Sequence, residues 1–339
     1  MHERLLLPLF CAVAITGCRK DDAAKVEEVD EAFIVHMPPG APALPVPPGN
    51  EPTVSRVTLG KALFFDERLS MGNGLSCASC HHVSRAFSDT VPLSIGAGGA
   101  HGLRNAPTLA NTAWHPAFFR DGGIPTLEQQ VLAPVHAEDE MASNIVEAAA
   151  VLKHDARYAS LARLGYDREL DPFVITRAIA CYERTLVSGW SRYDRFLYEG
   201  DESALTEQER HGHELFMSDA TGCSGCHGGF DLSDHSYRNV GFLLDAEADP
   251  GRQRITLDPA DRGKFKVPTL RNIALTGPYM HDGSLATLED VVAHFANGGT
   301  ADPLKDPLVR PLDLNAQDQA DIVAFLRALT DDRSLDQVP

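Results

Sequence analysis

Cys77-Ala78-Ser79-Cys80-His81 is the stretch that decides the fold, and Cys223-Ser224-Gly225-Cys226-His227 repeats its pattern. Two cysteines three apart present their sulfurs to the two vinyl groups of one haem, and the histidine that follows is carried under the porphyrin to ligate its iron. This is the pattern of c-type haem attachment, and two copies predict a dihaem protein. Four cysteines in two pairs could instead hold one zinc. Here, however, Cys80 and Cys223 are 143 residues apart and each pair has its own adjacent histidine, whereas zinc ribbons keep their pairs close.

Working outward, the two motifs sit in halves that echo each other. Gly60-Lys61-Ala62-Leu63-Phe64 precedes the first motif and Gly212-His213-Glu214-Leu215-Phe216 the second. Pro107-Thr108-Leu109-Ala110-Asn111 returns as Pro268-Thr269-Leu270-Arg271-Asn272, Asp121-Gly122 as Asp282-Gly283, and Thr126-Leu127-Glu128 as Thr287-Leu288-Glu289, all at a constant offset of 161 residues. A duplicated haem domain explains that constancy. The fold class expected is therefore all-α, with two tandem cytochrome c-like domains and few strands, at 53–200 (with connecting helices) and 201–332. Helices are expected to begin at Thr126 and Thr287, to span Asn144 to Leu161, Pro172 to Leu197 and Asn315 to Leu329, and to open at Thr206 with a capping box completed by Glu209. Cys181 lies on the apolar face of its helix and reads as a core residue.

Arg4 precedes an apolar run from Leu5 to Ile15, too short to span a membrane, that ends in Ile15-Thr16-Gly17-Cys18. Residues 1–17 read as a lipoprotein-type signal peptide, with Cys18 the lipidated first mature residue; an ordinary signal peptide with an incidental cysteine is the alternative. Either predicts export, to the periplasm, where bacteria attach c-type haem. Residues 18–52, charged and then rich in proline, read as a tether. A formal charge of −18 argues against nucleic acid as a partner and fits either solubility or a basic electron-transfer partner.

Leu59-Gly60-Lys61-Ala62-Leu63-Phe64-Phe65-Asp66, Arg104-Asn105-Ala106-Pro107-Thr108 and Pro278-Tyr279-Met280-His281-Asp282-Gly283 resemble the bacterial dihaem cytochrome c peroxidase/MauG family, over about residues 50–332. The resemblance implies peroxide chemistry at the N-terminal haem, with His81 its proximal ligand, and electron storage or relay at the C-terminal haem, with His227 its ligand. It implies Gln130 and Glu140 over the first haem, where a carboxylate can move a proton from one peroxide oxygen to the other as base and then acid; a solvated acid beside Glu138 and Asp139 is the plainer reading of Glu140. It also implies a calcium at Asn105, Thr276 and Pro278, although polar loop roles would explain those residues equally well.

Three departures from the family pattern matter. Ala97 aligns with the distal histidine that closes the first haem in many peroxidases, leaving that iron open unless His101 takes the place. Arg120 stands where a tryptophan usually lies between the haems. Phe295 occupies the position of the second haem's sixth ligand and cannot ligate iron, so His294 or Met280 takes over, or that haem is five-coordinate. Three functions follow: a dihaem peroxidase reducing H2O2 with electrons from a small cytochrome or copper protein, a MauG-like enzyme oxidising tryptophan or tyrosine side chains of a partner protein, or a dihaem electron carrier.

Overall fold

A computed structural model of the chain describes residues 29–242 and 249–338, so the signal read at 1–17 and the cysteine at position 18 lie outside the described residues. In the first half, α1 (Val54–Phe64) leads into the first CxxCH motif. After the loop come α2 (Leu127–Gln130) and α3 (Leu132–His136), then α4 (Ile145–Leu152), α5 (Ala156–Tyr166) and α6 (Pro172–Glu183). A connecting helix, α7 (Arg192–Tyr198), hands the chain to the second half, where α8 (Glu207–Met217) leads into the second motif and α9 (Gln253–Thr256), α10 (Leu288–Ala296) and α11 (Ala316–Arg327) follow. Among the described residues the one sheet pairs β1 (Tyr237–Arg238) antiparallel with β2 (Phe265–Lys266). The protein is mostly helical with two cytochrome c-type domains, as the duplicated pattern predicts.

The same helix crossing is built twice. Gly60 of α1 meets α6 so closely that a Cβ there would overlap the Ala178 carbonyl oxygen, and Gly212 of α8 meets α11 with the Asp321 carbonyl in the same relation. Glycine at these two positions lets backbone touch backbone, which seats the helix preceding each motif against the last long helix of its half. Each crossing covers an aromatic cluster. Phe64 packs edge-on against Phe87 and Tyr182 at centroid separations of 5.8 and 5.4 Å, and Phe325 packs against Phe216 and Tyr193 at 5.3 Å each. Burying each such ring contributes about 1.5–3 kcal/mol. Gly60→Ala is accordingly expected to destabilise the first half by about 1–3 kcal/mol through overpacking. Urea unfolding of the variant reads this directly, and an unchanged midpoint would mean that the crossing yields without cost.

Caps set the helix boundaries. Thr206 accepts from Glu209 N at 3.2 Å while the Glu209 carboxylate accepts from Thr206 N at 2.9 Å, the expected capping box. Thr287 pairs in the same way with Asp290 rather than with the adjacent glutamate. The two long helices expected at Asn144–Leu161 and Pro172–Leu197 are each broken. Asp155 caps a new helix by accepting from Arg157 N and Tyr158 N, and the Ser191–Asp194 capping box restarts the chain after an extended stretch through Gly189. Local hydrogen bonding by Asp and Ser competes successfully with helix continuation.

The stretch read as a tether lies against the body from Asp30 onward. Asp30 accepts from Ser55 N and Oγ, the Ala43 carbonyl accepts from the Trp114 indole, and Gly40 abuts the Tyr198 ring. The C-terminal tail returns to the first half, where Leu335 and Val338 join its core and Asp336 pairs with Lys61 at 3.1 Å. Cys181 is fully buried in that core.

Candidate functional site: two CxxCH cradles and an acid-lined cavity

Each CxxCH motif is wound into one turn of 3-10 helix, Cys77–Ser79 and Cys223–Gly225, with the histidine one residue beyond the second cysteine. In the first, Ser79 Oγ accepts from Ser76 N at 3.0 Å and pins the start of the turn. All four cysteines are unpaired thiols. Burial raises the proton affinity of each and lowers that of both histidines, so His81 and His227 are neutral imidazoles. Their orientation is fixed by a device common to both halves. His81 Nδ1 donates to the Phe87 carbonyl at 2.8 Å and His227 Nδ1 to the Leu232 carbonyl at 3.0 Å, which leaves each Nε2 free to act as a ligand. Phe87 and Leu232 both stand in the left-handed region, at φ 58° and 48°, so a tight turn aims each carbonyl back at the ring.

The first cradle opens onto a cavity of about 420 Å³ lined by Cys77, Cys80, His81, Gln130, Pro134 and Glu140. Arg104, Arg120, Arg254 and Lys266 line it as well, a cationic wall suited to a planar group that carries carboxylates. Two thiols, a neutral imidazole with a free nitrogen, an apolar slot and a cationic wall together fit a covalently held c-type haem.

The structure brings Gln130 and Glu140 into this cavity together with His81. Gln130 ends α2. Glu140 sits in the turn after α3, its backbone held from both sides: its N–H donates to the Ala137 carbonyl at 3.1 Å, and its carbonyl accepts from Ala97 N at 2.6 Å. It lines the cavity and is open to it, and partial desolvation by the surrounding wall, with a smaller contribution from the Asp139 carboxylate, raises its proton affinity above the ordinary carboxylate value. Neither Ala97 nor His101 lines the cavity; His101 lies exposed and pairs with Ile95 across its loop. Among the described lining residues the imidazoles are His81 and His115.

Sequence reasoning missed Glu183. It is a fully enclosed carboxyl on the cavity wall, pushed up to about 8 by burial, and its Oε2 has no hydrogen-bond partner. The signal was present as a charged pair, Glu183-Arg184, directly after the apolar run Ala178-Ile179-Ala180-Cys181-Tyr182.

Of the residues implied for calcium, Asn105 is already engaged by a cation. Asn105 is buried, and both of its oxygens are taken: Arg120 Nε donates to its carbonyl at 2.9 Å and Arg120 Nη2 to its Oδ1 at 2.7 Å. Across the junction Thr276 Oγ1 donates to the Ile273 carbonyl, and the Gly277 carbonyl, beside Pro278, accepts from Arg85. At Asn105 a guanidinium thus provides positive charge to the oxygens that the resemblance implies for a metal. Adding calcium to holoprotein previously treated with EGTA is expected to leave the melting temperature unchanged. A rise of several degrees would contradict this.

Around the second cradle, His294 Nε2 donates to the Val240 carbonyl at 3.0 Å and its ring packs edge-on against Phe242. Met280 is partly buried and left-handed at φ 73°, and Phe295 is partly buried on α10.

The chain matches the family model for di-haem cytochrome c peroxidase over residues 54–203 and that for cytochrome c over residues 210–330. It is 37% identical over 289 residues to the methylamine utilization protein MauG of Methylorubrum extorquens, covering 85% of this chain and 81% of that protein. It is also 37% identical over 302 residues to the cytochrome c551 peroxidase of Nitrosomonas europaea, covering 88% and 86%. Among solved structures it resembles a MauG-like protein associated with microbial copper homeostasis, with a TM-score of 0.84 and 36% identity over 90% of this chain and 98% of that one.

Proposed function

We infer the reaction from one premise: the chain belongs to the di-haem cytochrome c peroxidase family, in which the MauG proteins are grouped, and is an oxidoreductase of peroxidase type with two c-type haems. The reading best supported is reduction of H2O2 at the group held by Cys77, Cys80 and His81, with electrons entering through the group held by Cys223, Cys226 and His227. A haem held by Cys77, Cys80 and His81 would supply redox-active iron for this reaction. The protein's own residues move the proton between the peroxide oxygens, and the two protons consumed come from solvent. Reducing peroxide to two waters takes two electrons and two protons, and its O–O bond breaks readily only if the departing oxygen is protonated. Glu140 takes a proton from the near oxygen and delivers it to the far one, acting as base and then acid. Gln130, opening onto the same cavity, orients the peroxide by hydrogen bonding.

The observation that carries this reading is that Gln130 and Glu140 line the same cavity as Cys77, Cys80 and His81, while the loop residues Ala97 and His101 stay off its wall. Purified holoprotein given H2O2 and a reduced small cytochrome or copper protein should oxidise two equivalents of a one-electron donor per peroxide. Oxidation no faster than with free haem would refute it.

A second reading has a specific observation in its favour. With Ala97 in place of a closing histidine, and with MauG proteins among its relatives, the chain is suited to spend peroxide on tryptophan or tyrosine side chains of a partner protein. Arg120 and Phe295 weigh against it, since neither can relay an electron as an aromatic donor or ligate iron as a tyrosine would. Peroxide-dependent modification of a co-encoded exported protein separates the two readings. We place the protein in the periplasm, held to a membrane through Cys18; Cys18→Ser should release it in soluble form, and a variant still in the membrane fraction would refute the anchor.

A further inference from the structure

We propose that His115, Asp231 and His235 form a binding site for one divalent transition-metal ion that clamps the two halves together at the edge of the first cavity, which His115 also lines. The first ligand comes from the N-terminal half, in the loop after the 3-10 turn Thr112–Trp114. The other two come from the segment that follows the second haem motif. Asp231 Oδ2 lies 3.4 Å from His115 Nε2 and 3.5 Å from His235 Nε2, and the three donor atoms all fall within 4.8 Å of one another. Ligands at about 2.0–2.1 Å in tetrahedral array stand about 3.3–3.4 Å apart, so two edges of the polyhedron are already set and a small ring rotation closes the third.

Two of these atoms have nothing else to do. His115 Nε2 and Asp231 Oδ2 are buried without a hydrogen-bond partner, and the side chains are only 9% and 6% exposed. Buried polar atoms are nearly always satisfied, so a pair of orphans facing each other across a domain junction marks a missing partner. The surroundings hold the arrangement in place. Asn111 Nδ2 donates to Asp231 Oδ1 at 2.9 Å, which leaves Oδ2 to face the imidazoles. Lys266 Nζ donates to the Ala117 carbonyl at 2.8 Å and stands 3.4 Å from His115 Nδ1, so ligation through Nε2 takes the tautomer with its proton on Nδ1 and the ammonium turned to Ala117. Burial lowers the proton affinity of both imidazoles, so each presents a lone pair, and a cation between them offsets the Asp231 carboxylate. Two imidazoles and one carboxylate suit zinc, copper(II) or iron(II).

Zinc is the probe. Holoprotein with both haems attached is dialysed against a chelator, given one equivalent of zinc sulfate, desalted, and analysed for zinc and iron. One zinc per two irons is expected, with a rise of several degrees in melting temperature. His235→Ala and Asp231→Asn should keep two haems per chain, retain no zinc and show no rise. If the unmodified holoprotein retains no zinc, or if both variants retain it as well as the parent does, the site is a hydrogen-bonded His–Asp–His chain and the proposal fails.

Discussion

Replacing Glu140 by glutamine is expected to lower peroxide turnover by about 10²–10⁴-fold, the usual contribution of a positioned proton-transfer group. Glutamine keeps the shape and the hydrogen-bonding reach of the side chain but cannot exchange a proton. Two haems per chain and unaltered ferric absorbance would show that the loss is chemical. The pH profile gives a second readout. Glu140 acts first as a base, so its ionised form is the active one. Because partial desolvation, with Asp139 beside it, raises its proton affinity, the acid-side fall in kcat/KM should lie above the ordinary carboxylate value of 4.5. Activity is complete above the raised pKa and is lost as pH falls through it. In Glu140→Gln that limb should vanish from whatever activity remains. Full turnover in the variant would place the proton shuttle elsewhere, and Glu183 on the same wall would be the next carboxyl to test.

Arg271→Ala should destabilise the second half by about 3–5 kcal/mol, the cost of removing one partner from a buried ion pair. No part of the Arg271 side chain reaches solvent. Its Nη1 meets the two oxygens of Asp194 at 2.6 and 2.7 Å, and its Nε and Nη2 donate to the Phe230 carbonyl at 2.9 and 2.6 Å. Removing the guanidinium strands both a buried carboxylate and a buried carbonyl. Domain stabilities of about 5–15 kcal/mol leave little margin for such a loss. Combining Arg271→Met with Asp194→Leu should recover part of it, because no lone charge remains buried. Recovery stays incomplete, since Asp194 also accepts from Ser191 N at 2.9 Å and caps α7. Urea unfolding followed at the Soret band and by circular dichroism measures both effects, and a midpoint unmoved in Arg271→Ala would show that the pair contributes nothing net.

The haem cradles were the most legible part of the chain, because a covalent attachment has a fixed spacing that no packing can override. Helix starts were nearly as clear where a capping residue announces them, as at Thr206. Continuity was harder to read: the apolar pattern runs through Asp155 and Ser191, and only their hydrogen bonds show that the helix ends and restarts. The candidate site was legible in part. Gln130 and Glu140 could be named by resemblance, but their meeting on one cavity wall with His81 depends on the turn at 137–142. Arg120 could be read as a lost tryptophan, yet its hold on both oxygens of Asn105 follows only from the fold. His115 and Asp231 are 116 residues apart in sequence (231 − 115), and no local pattern could have joined them.

The peroxidase reading proposed here requires a first haem with an open coordination face in the cavity that Glu140 lines. Electron paramagnetic resonance of the resting ferric holoprotein tests this most directly. A high-spin ferric signal from the first haem is expected, whatever the second contributes; a spectrum of two low-spin haems with no high-spin component would refute the open face.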